Sequence, residues 1–369
     1  MSIEKKYNMV KASEVTLDTE ITELVLFNPE PTVCNSSAAP IGSNVDGIID
    51  TSVGPQWAMK LWDVMRSNDW FPAEADTSSD GAEYVKLDEA HKRAYDLAIS
   101  SLIYNDSVQT RNLANNMIPY ITDGKIVMVL TRQAFEEANH TISYSVLLTD
   151  VSPNKDEIYE LYRKDEFLKE RNQYLDELYG ELAYSKGEKT TVRILIRAMI
   201  ANNILESIMF YAGFVFFWYL GIRMPGTAKM ISFIARDERT HVVLFRQLLK
   251  STLKSYPGID KGEVEQMLRE EVHKATENEK RWLKYFTGGK IAEFSEKAIS
   301  AYIEDKANQI TEGFGFNKIY PKIGYNPLMA FEKAYDKPNE QKTNQLEMNP
   351  TTYDVRTLPM EDYLEGGEI

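Results

Sequence analysis

Two Glu-x-x-His pairs constrain the fold of this chain more than any other feature of its sequence. They are Glu137 with His140 in AFEEANHTISY, and Glu238 with His241 in FIARDERTH. Because residues three apart share one face of a helix, each pair directs a carboxylate and an imidazole to the same point. Two such pairs, joined by one carboxylate from each of two further helices, form the ligand set of a dinuclear metal site in a four-helix bundle. The sequence therefore predicts an all-α protein built around a metal centre.

Two further acids complete this ligand set: Asp106 in LIYNDSVQ and Glu206 in ILESIMFYAGF. The helix face of Glu206 continues to Phe210, Phe214 and Phe217, on the most apolar helix of the chain. An ionised carboxylate in such surroundings is costly unless it is paired or bound to a metal. Asp106 could instead face solvent near a helix end. Mixed oxygen and nitrogen ligands suit iron or manganese.

The Glu-x-x-His spacing alone does not select a metal site, because every histidine of the chain has an acid three residues before it. In an acidic helical chain this spacing is often a solvated pair on a helix face. His91 lies in KLDEAHKRA and His273 in MLREEVHKATENEK, and both segments are largely charged. We expect these two histidines to be solvated, whereas the apolar surroundings of His140 and His241 favour metal binding.

Composition argues against several classes of function. A formal net charge of −14 disfavours a nucleic-acid partner, which requires a basic face. The single cysteine, Cys34, can form no intrachain disulfide, so we expect a reducing, cytoplasmic location. The N-terminus lacks the apolar run of a signal peptide. The longest uncharged stretch, residues 207–222, is shorter than the ~20 residues that span a bilayer. We therefore expect no membrane association.

Helical periodicity and the breaks in it divide the chain into three parts. Residues 1–54 are rich in Ser, Pro, Asn and Asp and predict an N-terminal arm. Residues 55–330 predict a helical domain. The predicted helices span residues 55–67, 82–109, 124–148, 156–183, 190–220, 225–255, 261–285 and 291–311. The helix over 156–183 is heavily charged and is expected at the periphery, whereas the helix over 190–220 is apolar nearly all round and is expected at the centre.

Residues 331–369 predict a flexible C-terminal tail. Its composition is polar, with several prolines and an acidic end, so it buries too little apolar surface to fold alone. Such a segment either stays disordered or orders on a partner. The mixture of apolar and acidic residues near Leu364 and Ile369 favours ordering on a partner.

The candidate ligands and their surroundings resemble the small, radical-generating subunit of class I ribonucleotide reductase over roughly residues 57–255. The segments that carry the resemblance are YNDSVQ, EEANHTISY, LESIMFYAGF and IARDERTH. The metal ligands of that family fall on Asp106, Glu137, His140, Glu206, Glu238 and His241. Any one of these segments is weak evidence, but together they are highly specific.

The resemblance implies a ferritin-like helical homodimer with two iron ions in the four-helix core, manganese being the alternative metal. In this family, oxygen activation oxidises a neighbouring tyrosine, and the radical passes to a large subunit that reduces ribonucleotides to deoxyribonucleotides. Tyr144, four residues after His140, matches the radical-bearing tyrosine. Phe210, Phe214 and Ile234 match the apolar pocket around it. The alternative for Tyr144 is a core tyrosine with a satisfied hydroxyl.

The resemblance also implies a route for radical transfer. Trp70, two residues before a proline, matches the family's tryptophan, and Asp237 matches the acid that joins this tryptophan to His140. In the tail, Tyr353 matches the relay tyrosine, with Tyr363 as a competitor, and the extreme C-terminus is expected to dock into the large subunit. Some relatives keep the tyrosine yet store the oxidant on a manganese cluster, so the location of the oxidant stays open.

Two other functions compete with this interpretation. A related ferritin-like oxidase with a diiron or Mn/Fe centre would act on a small organic substrate. It would require a cavity beside the metals, but neither Trp70 and Asp237 nor a docking tail. A non-catalytic iron-storage protein would share the bundle, yet the chain length, the tail and Tyr144 argue against it.

Overall fold

The computed structural model describes residues 11–35, 38–185, 190–321 and 324–336, and these residues are mostly helical. The helices are α1 (Gln56–Ser67), α2 (Asp80–Val85), α3 (Glu89–Asn112), α4 (Gly124–Val151), α5 (Lys155–Lys164), α6 (Glu166–Tyr184), α7 (Val192–Ile204), α8 (Phe210–Tyr219), α9 (Pro225–Ser255), α10 (Lys261–Thr287), α11 (Glu296–Gly313) and α12 (Pro327–Tyr335). Two short strands, β1 (Glu20–Ile21) and β2 (Thr190–Thr191), pair antiparallel. The predicted all-α class is confirmed.

Two of the long helices begin where the sequence supplies a start signal. The Asp123 carboxylate accepts the N–H groups of Lys125 and Ile126, which otherwise lack a partner at the first turn of α4. Helix α9 begins at Pro225, where the missing N–H costs nothing. These starts fix the axial position of the two helices that carry the Glu-x-x-His pairs.

The segment Val192–Ile222 forms the centre of the bundle, as its apolar sequence predicts. It consists of α7, a π-helical turn (Leu205–Met209), α8 and a final 3-10 turn. The segment is long and apolar enough to cross a membrane, but 94% of its most apolar window is buried inside the protein. Burial of this kind is typical of a core helix rather than a membrane span.

Two predicted helices are each broken in two. The helix predicted over 82–109 is interrupted between α2 and α3, where the Asp88 side chain accepts the N–H of His91 and starts α3. The helix predicted over 156–183 is interrupted at Asp165, whose carboxylate accepts the N–H of Leu168 and starts α6. Local capping by aspartate therefore overrides the continuous helical period.

Helix α6, the longer part of the predicted 156–183 helix, exposes one charged face but buries the other. This helix buries an apolar stripe at helical spacing, which includes Leu168, Leu175, Leu178 and Leu182. Apart from the buried Arg171, its charges lie mainly on the opposite face, so a high overall charge concealed the apolar stripe.

The first and last described segments both pack on this body. The described part of residues 1–54 contributes β1, which pairs with the strand just before α7. At the other end, α12 continues past residue 330 to Tyr335, and its Leu328 is fully buried. The rest of the predicted tail, including Tyr353 and Tyr363, lies outside the described residues.

Candidate metal centre

The six predicted ligands are fully buried and meet in the core of the bundle. They come from four helical segments: Asp106 from α3, Glu137 and His140 from α4, Glu206 from the π turn, and Glu238 and His241 from α9. The four-helix arrangement that the Glu-x-x-His pairs predict is therefore present.

The ligating atoms form two adjoining groups. Within each group, every residue offers one atom, and these atoms all lie within 4.8 Å of one another. One group contains Asp106, Glu137, His140 and Glu238, and the other contains Glu137, Glu206, Glu238 and His241. Glu137 and Glu238 belong to both groups, so two cations held there would share these two carboxylates.

Both histidines turn the same ring nitrogen towards this cluster. The Nδ1 atom of His140 lies 3.2 Å from an oxygen of Asp106 and 3.2 Å from an oxygen of Glu238. The Nδ1 atom of His241 lies 2.6 Å from Glu238 and 3.3 Å from Glu137. Nδ1 is therefore the nitrogen that each ring offers to a metal.

The outer nitrogen of each ring contacts a second carboxylate. His140 Nε2 lies 3.2 Å from Asp237 Oδ2, and His241 Nε2 lies 2.9 Å from Glu136 Oε2. A carboxylate at this position keeps the outer nitrogen protonated and fixes the orientation of the ring, which leaves Nδ1 free to bind a metal.

The chemistry of the cluster fits two metal ions. Each of the four ligand carboxylates has one buried oxygen without a hydrogen-bond partner among the described residues: Asp106 Oδ2, Glu137 Oε2, Glu206 Oε2 and Glu238 Oε1. Such atoms are costly to bury unless a cation satisfies them. Four carboxylates also balance the charge of two divalent cations.

Without cations, this cluster retains protons. Burial, followed by the Glu238 charge, raises the pKa of Glu137 to about 8. Burial also raises the pKa of Asp106 to about 6 and that of Glu206 well above its usual value. Although burial alone would lower the pKa of His140, the Glu238 carboxylate and the hydrogen bonds that the ring donates to Asp106, Asp237 and Glu137 raise it well above its ordinary value. Several ligands are therefore protonated at neutral pH.

We expect metal binding to release protons and to weaken as the pH falls from about 8 towards 6, where Glu137 and Asp106 take up protons. Isothermal titration calorimetry of Mn²⁺ binding in buffers of different ionisation enthalpy would count the protons released. An affinity that is independent of pH in this range would contradict the predicted protonation.

The stability of the metal-free chain should depend on pH in the opposite direction. The folded-state pKa of Glu137, about 8, lies above its unfolded value, so the folded state binds more protons. The free energy of unfolding therefore falls as the pH rises through this window. Consequently, the increase in Tm on metal loading should be larger at high pH than at low pH.

Tyr144 is fully buried one turn beyond His140 on α4. Its hydroxyl makes no hydrogen bond of normal geometry among the described residues, but it interacts with the Asp106 carboxylate. Burial, and then the Asp106 carboxylate, raises the pKa of Tyr144 well above its ordinary value, which keeps the phenol protonated. The residues predicted to line its pocket, Phe210, Phe214 and Ile234, are also fully buried.

Trp70 is joined to the centre through Asp237. Its Nε1 donates to Asp237 Oδ2 at 2.7 Å, and the same oxygen lies 3.2 Å from His140 Nε2. The Trp70 ring also stacks towards His140, with centroids 6.2 Å apart at 23°. Trp70 is buried, but the next residue, Phe71, is 72% exposed, so this chain of contacts runs from the centre to near the surface.

Sequence reasoning missed two glutamines that hold Glu206. Gln109 donates to Glu206 Oε1 at 2.7 Å, and Gln133 donates to the same oxygen at 2.9 Å. Gln109 lies three residues after Asp106, and Gln133 lies four residues before Glu137. Because residues three or four apart share a helix face, this spacing could have identified both glutamines as neighbours of the candidate ligands.

The other two histidines take no part in either ligand group. His91 is partly buried rather than solvated, because it stacks on Tyr219 and its Nε2 lies 3.0 Å from the Tyr219 hydroxyl. His273 is exposed, and its Nδ1 lies 2.8 Å from the Tyr320 hydroxyl. His91 is thus partly buried despite its charged surroundings, whereas His273 is exposed as predicted.

The sequence is similar to known proteins over most of its length. The sequence model of the family "Ribonucleotide reductase, small chain" matches residues 52–327. The ribonucleoside-diphosphate reductase subunit beta of Treponema pallidum is 33% identical over 350 residues, which cover 93% of this chain and 98% of that protein. The corresponding subunit of Halalkalibacterium halodurans is 30% identical over 329 residues, which cover 88% of this chain and 94% of that protein.

The fold is similar as well. The ribonucleotide reductase R2 subunit from Clostridium botulinum superposes with a TM-score of 0.81 at 30% sequence identity. This match covers 86% of this chain and 100% of that one. The similarity therefore extends well beyond the ligand motifs to the whole helical body.

Proposed function

This chain belongs to the ribonucleotide reductase small-chain family, and we propose that it generates a radical oxidant, stores it on Tyr144 and passes it through Trp70 to the large subunit. One observation carries the proposal. His140 precedes Tyr144 by one helical turn and contacts Trp70 through Asp237, so one ligand is close to both the proposed store and the proposed exit.

The family has a dinuclear metal site and a ferritin-like fold, and its members serve as the small subunit of an oxidoreductase. We propose two iron ions, with manganese as the alternative, because oxygen and nitrogen donors suit both metals. When bound, the two ions supply the oxidising power that removes an electron from the protein in the presence of oxygen. The ligands that would hold them are the six residues of the two bridged groups.

The protein's own part begins with the Tyr144 proton. A phenol that loses an electron also loses its proton, and the Asp106 carboxylate is the neighbouring charge that raises the pKa of Tyr144 most. We therefore propose Asp106 as the proton acceptor. Full burial of the tyrosine excludes water and soluble reductants, which allows the oxidised ring to persist.

Membership of the family implies a large-subunit partner, and we propose that residues 337–369 dock into it. This proposal rests on their polar, proline-containing composition. The described chain ends at Asp336, which pairs with Arg239 and accepts the Tyr211 hydroxyl at 3.0 Å. Because Arg239 follows Glu238, the docking segment would start beside the helix that holds the metal centre.

We also propose a cytoplasmic homodimer. Phe135 and Ile142 lie seven residues apart on one face of α4 and are 59% and 58% exposed, which provides an apolar surface for a second copy. Sedimentation equilibrium of the metal-loaded chain tests this, and a monomer at micromolar concentration would contradict it.

Reconstitution with purified large subunit tests the function. The full chain is loaded with Fe²⁺ or Mn²⁺ and oxygen, its metal content is measured, and its paramagnetic resonance spectrum is recorded. We expect two metal ions per chain and ribonucleoside diphosphate reduction only when both subunits are present. Oxidation of an organic substrate without the large subunit would favour the oxidase alternative. Assembly into a closed cage that holds many ions would favour iron storage.

A chain truncated before Asn349 provides the matched control. It should keep the metals and any radical but lose turnover to the background of the assay, because the removed segment adds little to the core.

Tyr353→Phe should bind the large subunit yet stop turnover, since phenylalanine is much harder to oxidise. Undiminished turnover by the truncated chain would exclude the tail from the mechanism, and a loss only in Tyr363→Phe would move the relay to Tyr363.

A further inference from the structure

We propose that Glu136 and Arg132 are positioning residues that tie His241 to the loop carrying Trp70. This inference rests on the proposed function only in its assignment of His241 to the metal centre and of Trp70 to radical transfer. It gives the loop a second connection to the centre, separate from the contact through Asp237.

The inner half of the connection lies between α9 and α4. His241 Nε2 lies 2.9 Å from Glu136 Oε2, and Arg132 Nε donates to Glu136 Oε1 at 3.0 Å. The side chains are 0%, 3% and 12% exposed for His241, Glu136 and Arg132. Both oxygens of Glu136 are therefore occupied, and an arginine compensates the charge that is buried beside the histidine.

The outer half of the connection reaches the loop. The Arg132 guanidinium pairs with the Asp69 carboxylate and donates to the Met65 carbonyl at 3.4 Å. Asp69 is 57% exposed in its side chain and directly precedes Trp70. The contacts thus run without interruption from the buried imidazole to the partly exposed loop.

Two further side chains hold the same loop. Arg236 donates to the Asn68 carbonyl at 2.6 Å, and Asn139 lies 3.4 Å from the Trp70 carbonyl. These donors come from α9 and α4, the helices that bear the two Glu-x-x-His pairs. The loop over residues 68–70 is therefore attached to the ligand helices rather than to a separate part of the protein.

The two imidazoles of the centre have parallel outer contacts. His140 reaches Trp70 through Asp237, and His241 reaches Asp69 through Glu136 and Arg132. A carboxylate on the outer nitrogen orients a metal-binding histidine, and its loss typically costs about 10- to 100-fold in metal affinity or activity. Glu136 should therefore influence both metal binding and the position of the loop.

The test uses Mn²⁺ alone and needs neither the large subunit nor a radical, so its outcome is independent of reductase activity. Mn²⁺ affinity is measured from the resonance of the free ion. The environment of Trp70 is measured by ¹⁹F NMR of metal-free protein labelled with 5-fluorotryptophan, with the Trp70 signal assigned from Trp70→Phe. Glu136→Gln should weaken Mn²⁺ binding by about 10-fold or more and shift the Trp70 signal.

Arg132→Gln separates the two halves of the connection. It should shift the Trp70 signal by a similar amount but weaken Mn²⁺ binding less, because the Glu136 contact to His241 remains. Arg132→Lys keeps the charge without the forked geometry and provides a milder variant should Arg132→Gln fail to fold. In a double-mutant cycle, adding Arg132→Gln to the Glu136→Gln protein should change the Mn²⁺ affinity and the Trp70 signal little further.

Arg197→Gln is the matched control. Arg197 pairs with Glu271 at 2.9 Å, with side chains 23% and 14% exposed, and contacts none of the residues in the proposed connection. It should leave both the Mn²⁺ affinity and the Trp70 signal unchanged. The proposal is overturned if Glu136→Gln weakens Mn²⁺ binding no more than Arg197→Gln does, or if neither Glu136→Gln nor Arg132→Gln shifts the Trp70 signal.

Discussion

Tyr144→Phe should retain the full metal content of the protein while its tyrosyl radical disappears and its turnover with the large subunit falls to the background of the assay. The substitution removes only the hydroxyl, and therefore only the group whose proton leaves on oxidation. None of the six ligands is altered. The loss should thus be confined to the storage of the oxidant.

The same variant should be at least as stable as the parent chain in the metal-free state. The Tyr144 hydroxyl is buried beside the Asp106 carboxylate and makes no hydrogen bond of normal geometry among the described residues. A buried polar group without a partner costs about 1–3 kcal/mol, so its removal should increase the free energy of unfolding by up to that amount. Chemical denaturation of metal-free protein measures this difference.

Tyr95→Phe is the control for this experiment. Tyr95 is likewise fully buried, and its hydroxyl also has no partner in the described structure, but it packs against Tyr84 and Phe217. This variant should keep both the radical and the turnover. Full reductase activity in Tyr144→Phe would instead place the oxidant on the metals, which is the alternative that the sequence leaves open.

The clustering of the candidate ligands could be predicted from sequence because most of them are unusual where they stand, whereas Asp106 could equally have faced solvent. Glu206 interrupts the most apolar helix, and the two Glu-x-x-His pairs lie on largely apolar faces. A buried acid requires a partner, so the residue types alone indicate a cation. The structure then brings the six side chains into two bridged groups, a geometry that spacing could suggest but not determine.

The π turn around Glu206 could not be predicted from sequence. The helix over 190–220 is apolar nearly all round, so an extra residue in one turn leaves no visible break in its period. Tertiary contacts surround the turn: Gln109 and Gln133 hold Glu206, and Arg171 donates to the Met209 carbonyl at 3.3 Å. These contacts involve residues far apart in the sequence.

Glu136 was missed for a related reason. It is adjacent to Glu137, and nothing in the sequence distinguishes the acid that faces the metals from the acid that holds His241. The difference arises only when α9 packs against α4. The apolar stripe of α6 is concealed in the same way, because a high overall charge hides how the charge is distributed around the helix.

Glu206→Ala should remove at least one of the two metal ions and, with it, the radical and all turnover. Glu206 belongs to only one of the two groups, which it forms with Glu137, Glu238 and His241. Alanine would leave that group with three protein ligands. Metal analysis after reconstitution measures the loss, and two firmly bound ions per chain in this variant would contradict the assigned ligand set.

The metal-free stability of Glu206→Ala should be close to that of the parent chain. The side-chain amides of Gln109 and Gln133 each lose one acceptor, at a cost of up to about 1–3 kcal/mol per buried donor, although each keeps a second one. A buried acid is removed at the same time, and among the described residues the one cationic side chain within ion-pair distance of it is His241. These effects oppose each other, so Tm should change little while the metal content falls.

Glu279→Ala should show the reverse pattern. Glu279 is equally buried, but it receives two hydrogen bonds from the Arg171 guanidinium, at 2.7 and 3.0 Å. Its removal leaves a buried arginine unpaired, which costs about 3–5 kcal/mol of folding free energy. The two substitutions therefore distinguish two kinds of buried glutamate. Loss of one that stabilises the fold changes the denaturation midpoint, and loss of one that binds the metals changes the metal content. If Glu206→Ala instead lowered stability as much as Glu279→Ala and retained its metals, Glu206 would be a structural residue and the second cation position would have to be assigned to other side chains.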